Sequence, residues 1–108
     1  MCGPGMEIDL LMEEEQKVLH LNLYRKYFDA IADGTKTTEY RDKTDYWKRR
    51  IEGRKYDIIK FRNGYAKDAP TMLVEYEGYD VGFNAVCEEK YMINLGKVIE
   101  VNYGKNNN

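Results

Sequence analysis

Residues 34 to 41 read Gly-Thr-Lys-Thr-Thr-Glu-Tyr-Arg, which sets Lys36, Glu39 and Arg41 within one short segment. Beside a glycine turn, the Lys36 ammonium can meet a phosphate as a point charge, and Arg41 can grip one through a planar fork. Glu39 can accept from the exocyclic amine of a base while Arg41 holds it in place. The same two charges could equally form an ion pair that pins a sheet wall. Catalysis asks for more. Amide hydrolysis without a metal needs a base and donors for the oxyanion. Lys36 is a base only if desolvation or a cationic neighbour lowers its pKa, with Thr37 or Thr38 placing water or supplying a hydroxyl. In an ideal strand Lys36, Thr38 and Tyr40 point one way, and Thr37, Glu39 and Arg41 the other. Lys36 and Glu39 therefore share a cleft only if a turn or bulge near Thr37 breaks the alternation.

The elements that must position these residues follow from periodicity. Leu19, Leu21 and Leu23 alternate with His20, Asn22 and Tyr24, which predicts a half-buried strand over 17–24 with His20 on its polar face. Tyr24, Tyr27, Phe28, Ile31 and Ala32 then fall at helical spacing, and Gly34 is placed to cap a helix over 25–33. A strand is predicted over 35–41. Thr44 or Asp45 can cap a second, short helix that carries Trp47 and Ile51 inward and ends at Gly53. A strand over 56–62 leads into the Asn63-Gly64 turn, with the return delayed to 71–77. Gly78 and Gly82 predict a further turn region, and 83–89 has no clear pattern. The runs 91–95 and 97–103 read as two strands separated by a bulge at Gly96. This order predicts a sheet-dominated α+β domain. Five or six short strands, with one main helix and one short helix, would hide their edges by curling into a small twisted barrel.

Composition bounds the partners. The 108 residues suit one domain, with 17 Lys and Arg against 19 Asp and Glu. The charge is unevenly placed: residues 1–16 carry a net −5, residues 17–67 a net +7, and residues 68–108 a net −4. A basic block inside an acidic chain is the footprint of a polyanion site, or else a solvated, salt-bridged surface. Ten tyrosines supply rings that can stack on bases or pack half-buried strands. Within the basic block, Lys48, Arg49, Arg50, Arg54 and Lys55 could line a phosphate-tracking rim, extended by Arg25 and Lys26. Tyr40, Tyr46 and Trp47 could stack a base, although Trp47 also suits a core. No apolar run is long enough for a membrane span, and the first residues do not read as a signal peptide. Cys2, Cys87 and His20 make no zinc spacing, and Cys87 reads as a small packing residue. No cofactor or metal is expected, no membrane is expected as a partner, and the default compartment is the cytoplasm. The expected organisation is an acidic lead-in over 1–16, a domain over 17–103 and a flexible tail over 104–108.

The G-x-K-x-x-E-x-R pattern, directly after the helix carrying Tyr27-Phe28-Asp29-Ala30-Ile31, resembles the ASCH family. The hairpin Phe61-Arg62-Asn63-Gly64-Tyr65 and the segment Ile93-Asn94-Leu95-Gly96-Lys97-Val98 are similar to those of small prokaryotic members, so the likeness spans about residues 17–103. It implies a PUA-like β-barrel with a cleft beside the motif strand that takes RNA, a nucleotide or a modified nucleoside. Arg62, Asn63 and Tyr65 would then lie near that cleft. The likeness also carries two enzymatic alternatives. One is hydrolysis of N4-acetylcytidine, with Lys36 and Glu39 in the catalytic positions, although such hydrolases have threonine where this chain has Glu39. Their later glutamate could be Glu75, Glu77, Glu88 or Glu89. The other is ribonuclease activity. A protein-interaction module with a basic face is the remaining possibility.

Overall fold

A computed structural model describes residues 16–104. The expected lead-in over 1–16 and tail over 104–108 lie outside the described residues, apart from Gln16 and Gly104. In chain order the elements are β1 (Val18–Asn22), α1 (Arg25–Ala32), β2 (Thr38–Asp42), α2 (Asp45–Ile51), β3 (Ile58–Arg62), β4 (Thr71–Phe83) and β5 (Glu89–Asn102). They form an α+β fold in which one five-stranded sheet, ordered β1-β3-β4-β5-β2, curls strongly into a half-barrel flanked by two short helices. β1 and β3 run parallel, and the other neighbouring pairs are antiparallel. A parallel pair needs a long crossover, and here that crossover contains α1, β2 and α2. β2 is thereby carried to the far edge of the sheet. The two edges, β1 and β2, face each other across the opening of the half-barrel.

The leucine alternation of β1 is realised as expected. Leu19, Leu21 and Leu23 are buried with Ile59, Phe61, Met72, Val74 and Ile93, while His20 is exposed. α1 buries a narrower stripe than the spacing predicts: Phe28 and Ile31 are in the core, whereas Tyr24 and Tyr27 stay exposed. Burying Phe28 and Ile31 contributes roughly 1.5–3 kcal/mol each. Of the two capping candidates for α2, Thr44 acts, its hydroxyl accepting from the Trp47 N–H at 3.3 Å. Ile51 is fully buried, and Trp47 is half-buried against the core.

Three strand boundaries differ from expectation. β2 begins at Thr38 rather than Thr35. β4 does not end at Glu77 but runs through Gly78 and Gly82 to Phe83, with register shifts against β5 between Leu73 and Tyr79. Gly78 has φ +88° in this irregular stretch, so the glycine bends the strand without ending it. The two runs around Gly96 are one strand, β5, and the segment without clear pattern is the β4–β5 turn. There Asn84 Oδ1 accepts from the Val86 and Glu88 N–H groups at 3.0 and 2.9 Å. Cys87, expected to pack, is exposed in this turn with φ +63°.

α2 is tied to the sheet at its C-terminal end by Tyr91, whose hydroxyl donates to Glu52 Oε2 at 2.6 Å. Burial, reinforced by the Glu52 bond and charge, pushes the Tyr91 phenol up from 10.0 to about 12. The sign follows from linkage: above about pH 10 the unfolded chain releases this proton while the folded chain retains it. Stability due to Tyr91 is full below pH 10 and is lost as pH rises towards 12. Tyr91→Phe should therefore lower stability by about 1–2 kcal/mol at neutral pH, by removing the donor to a charged acceptor. The variant should also flatten the alkaline fall in denaturation midpoint. A deficit unchanged through the alkaline range would contradict this assignment.

Candidate nucleobase cleft at the seam of the half-barrel

The site begins at the end of α1. The Gly34 N–H donates to the Ile31 carbonyl at 3.1 Å and the Thr35 N–H to the Ala30 carbonyl at 3.0 Å, which closes the helix with a Schellman motif. Gly34 has φ +88°, a conformation that would cost any side-chain-bearing residue ~1–2 kcal/mol. The Lys36 N–H also reaches the Ala30 carbonyl, at 3.1 Å. Asp33 locks this turn: its Oδ1 accepts from the Thr35 hydroxyl at 2.7 Å and the Thr35 N–H at 2.9 Å. Those bonds hold the Asp33 carboxyl below the usual carboxylate range. Lys36 thus belongs to a helix cap rather than to a strand, and this breaks the alternation. Its Nζ lies 3.6 Å from Glu39 Oε1, so the two side chains meet on one side of β2.

Among the described residues Glu39 is the one charged residue in the buried core, at 6% exposure. Arg41 binds it on the same strand face, with Nε at 3.0 Å and Nη2 at 2.8 Å from Oε2. Nη2 also donates to the Asn22 carbonyl at 2.9 Å, at the end of β1. A side chain, not a backbone ladder, therefore joins the two edges of the curled sheet. The Arg41 guanidinium lies 5.0 Å from the Trp47 ring centre, and Lys36 lies 5.4 Å from both the Tyr27 and Tyr40 rings. Both Glu39 oxygens are faced by cations, but Oε1 accepts no hydrogen bond among the described residues.

At this seam lies an open cleft of about 570 Å³, lined by Glu39, Arg41, Asn63, Tyr65, Asn22, Tyr24, Arg25 and Tyr27, with Leu23 and Gly64. Its volume is within the usual ligand-site range of roughly 300–1,000 Å³. Tyr65 and Tyr24 are 88% and 78% exposed, and so present ring faces to solvent at its mouth. The Asn63-Gly64-Tyr65 wall is held by side chains. Asn22 Nδ2 donates to the Gly64 carbonyl at 3.1 Å, and Asn22 Oδ1 accepts from the Gly64 N–H at 3.0 Å. Asn63 Nδ2 donates to the Leu23 carbonyl at 2.9 Å, and Arg62 donates to the Gly64 and Ala66 carbonyls. The turn that carries Tyr65 is therefore positioned before any ligand arrives.

The other candidates are dispersed. Tyr40 is exposed, pointing off β2 away from Glu39 and Arg41 as strand alternation requires, and its ring approaches Lys36 only at 5.4 Å, past the end of the strand. Thr37 is exposed and Thr38 half-buried, and neither lines the cleft. Arg62 borders an adjoining groove. Lys48, Arg49 and Arg50 lie outside the cleft, because Trp47 and Ile51 take the inward face of α2. Arg50 stacks on Tyr46 at 3.5 Å, and Arg49 lines a separate hollow with Arg54 and Lys55. Asn22, Tyr24 and Tyr27 are cleft residues that the motif did not indicate. Asn22 stood on the polar face of β1, but its partner Gly64 is far away in sequence.

The four candidate second carboxylates are engaged elsewhere. Glu75 accepts from the Lys97 N–H at 3.3 Å, Glu88 from Asn84 at 3.0 Å, Glu89 faces Lys43 at 3.8 Å, and Glu77 lies against Gly96. Among the described residues no cluster of His, Cys, Asp and Glu is placed to hold a metal ion, and no helix is long and apolar enough to cross a membrane. Comparison with family models, with curated proteins and with solved structures finds no match to this chain.

Proposed function

We propose that this chain binds RNA or a modified nucleoside, in the manner of an ASCH domain, through the cleft at the half-barrel seam. The observation that carries this is the Glu39 carboxylate, buried, oriented by Arg41 and lining a cleft flanked by exposed tyrosines, with Oε1 accepting no hydrogen bond among the described residues. A carboxylate held in this way accepts from the exocyclic amine of a base. Tyr24, Tyr27 and Tyr65 offer stacking surfaces, each stacked base being worth roughly 1–3 kcal/mol. Arg25, which lines the cleft, and Lys36, which lies outside the lining but beside Glu39 and Tyr27, add positive charge for phosphate.

The hydrolase and ribonuclease alternatives draw less support. Among the described residues Glu39 is the sole carboxylate lining the cleft and is already bound to Arg41, so no second carboxylate is at hand to share acid–base work. The test is ligand-observed NMR on a nucleoside panel that includes N4-acetylcytidine, run with wild type and Lys36→Ala, followed by titration of a labelled RNA. Binding without conversion is expected. RNA affinity should fall about threefold to tenfold in Lys36→Ala, with a shallower salt dependence. Unchanged RNA affinity in that variant would place the site elsewhere. Acetate released by wild type alone would make the chain a hydrolase.

A further inference from the structure

The cleft shares Asn22 and Tyr65 with a second, adjoining groove of about 410 Å³. One wall of this groove comes from the parallel β1–β3 pair. His20 is in register with Lys60, and Asn22 with Arg62. The two-residue period puts both rows on the face opposite Leu19, Leu21, Ile59 and Phe61. The facing wall is Tyr46 and Trp47 of α2. Among the described residues no carboxylate lines the groove, although the chain as a whole is acidic. Among the described residues Lys60 takes part in no ion pair. Arg62 is fixed at the edge by its bonds to the Gly64 and Ala66 carbonyls. A fixed guanidinium, an unpaired ammonium, an imidazole and two aromatic rings thus surround one hollow next to the Glu39 cleft.

We propose that this groove is a second nucleotide subsite, so that the ligand is a single-stranded RNA of two or more nucleotides rather than a free nucleoside. This rests on the nucleobase reading of the cleft. The first base lies against Glu39, and the strand passes over Tyr65. The linking phosphate meets Lys60 and Arg62, and the next base stacks on the faces of Tyr46 and Trp47 that Arg50 and Arg41 do not cover. Basic and aromatic groups in alternation are the means by which single strands are held without reading every base. The seam cleft supplies selectivity, and the groove supplies affinity and direction along the strand.

The test is calorimetric titration of a nucleoside, and of the dinucleotide and trinucleotide that contain it, at two salt concentrations. Wild type, Lys60→Ala and Lys60→Gln are compared, with folding checked by circular dichroism. Lys60→Gln keeps the aliphatic stem should the alanine variant fail to fold. The dinucleotide should bind wild type about tenfold or more tighter than the nucleoside, as one added stacked base and one phosphate imply. Either Lys60 variant should lose most of that gain and reduce the salt slope by about 0.7, while nucleoside affinity stays the same. Nucleoside binding with no gain on lengthening, or a Lys60 effect equal on nucleoside and dinucleotide, overturns the subsite and leaves the cleft standing. Lys60-dependent dinucleotide binding that Glu39→Gln does not alter supports the groove and removes the cleft. Absence of binding by every ligand overturns both.

Discussion

Arg41→Ala should destabilise the protein by about 3–5 kcal/mol, the usual cost of leaving one member of a buried ion pair without its partner. Arg41 and Glu39 are 18% and 8% exposed at their side chains, so water restores little of what is lost. The variant removes both bonds to Glu39 Oε2, the bond to the Asn22 carbonyl, and the guanidinium over Trp47. It should thus loosen a side-chain tie across the mouth of the half-barrel as well as strand a charge. Urea unfolding reads the effect as a lower midpoint with little change in slope. Arg41→Lys keeps the charge but not the fork, and should recover only part of the loss. A shift within about 0.5 kcal/mol of wild type, the size of an ordinary surface substitution, would mean that the pair is screened by solvent.

The second large effect concerns which ligand is chosen. Glu39→Gln keeps the size of the side chain and should still fold. Its neighbours, however, are donors: Arg41 on Oε2 and Lys36 near Oε1. The amide oxygen is drawn to Arg41, which leaves the amide nitrogen at the Oε1 position, on the side of Lys36. An acceptor becomes a donor at the position proposed to meet the base. Cytidine and adenosine, which carry exocyclic amines, should lose affinity by about tenfold to a hundredfold, the range of one well-placed base contact. Uridine, which presents a carbonyl there, should be spared or gain. Competition binding of cytidine against uridine measures the change directly. Equal losses for both would mean that Glu39 supports the cleft wall without reading the base.

Much of the fold was legible because it rests on local pattern. The leucine alternation of β1, the Gly34 cap, the Thr44 cap and the inward Ile51 all depend on neighbours within a turn or a strand. The errors came where distant contacts decide. Gly78 and Gly96 look like strand ends, but the long β4–β5 pairing carries both strands through them with register shifts. Tyr24 and Tyr27 share helical spacing with Phe28 and Ile31, yet the sheet covers only a narrow stripe of so short a helix. At the site, Lys36, Glu39 and Arg41 were visible as a motif, and their convergence depended on a stated break in alternation. The helix cap provides that break, since the Thr35 and Lys36 N–H groups are spent on the Ala30 carbonyl before β2 begins. The role of Asn22 was not legible, because it is defined by the closing of a sheet whose edges lie far apart in sequence.

The most direct measurement is a backbone amide shift map of the labelled protein titrated with cytidine. A base seated against Glu39 should move the amides of residues 22–27, 39–41 and 63–65, three segments that meet only at the seam, and should leave the distal β4–β5 turn unmoved. Saturable shifts confined to another surface, or no shifts with either cytidine or a short RNA, would contradict a nucleobase site between the edges of the half-barrel.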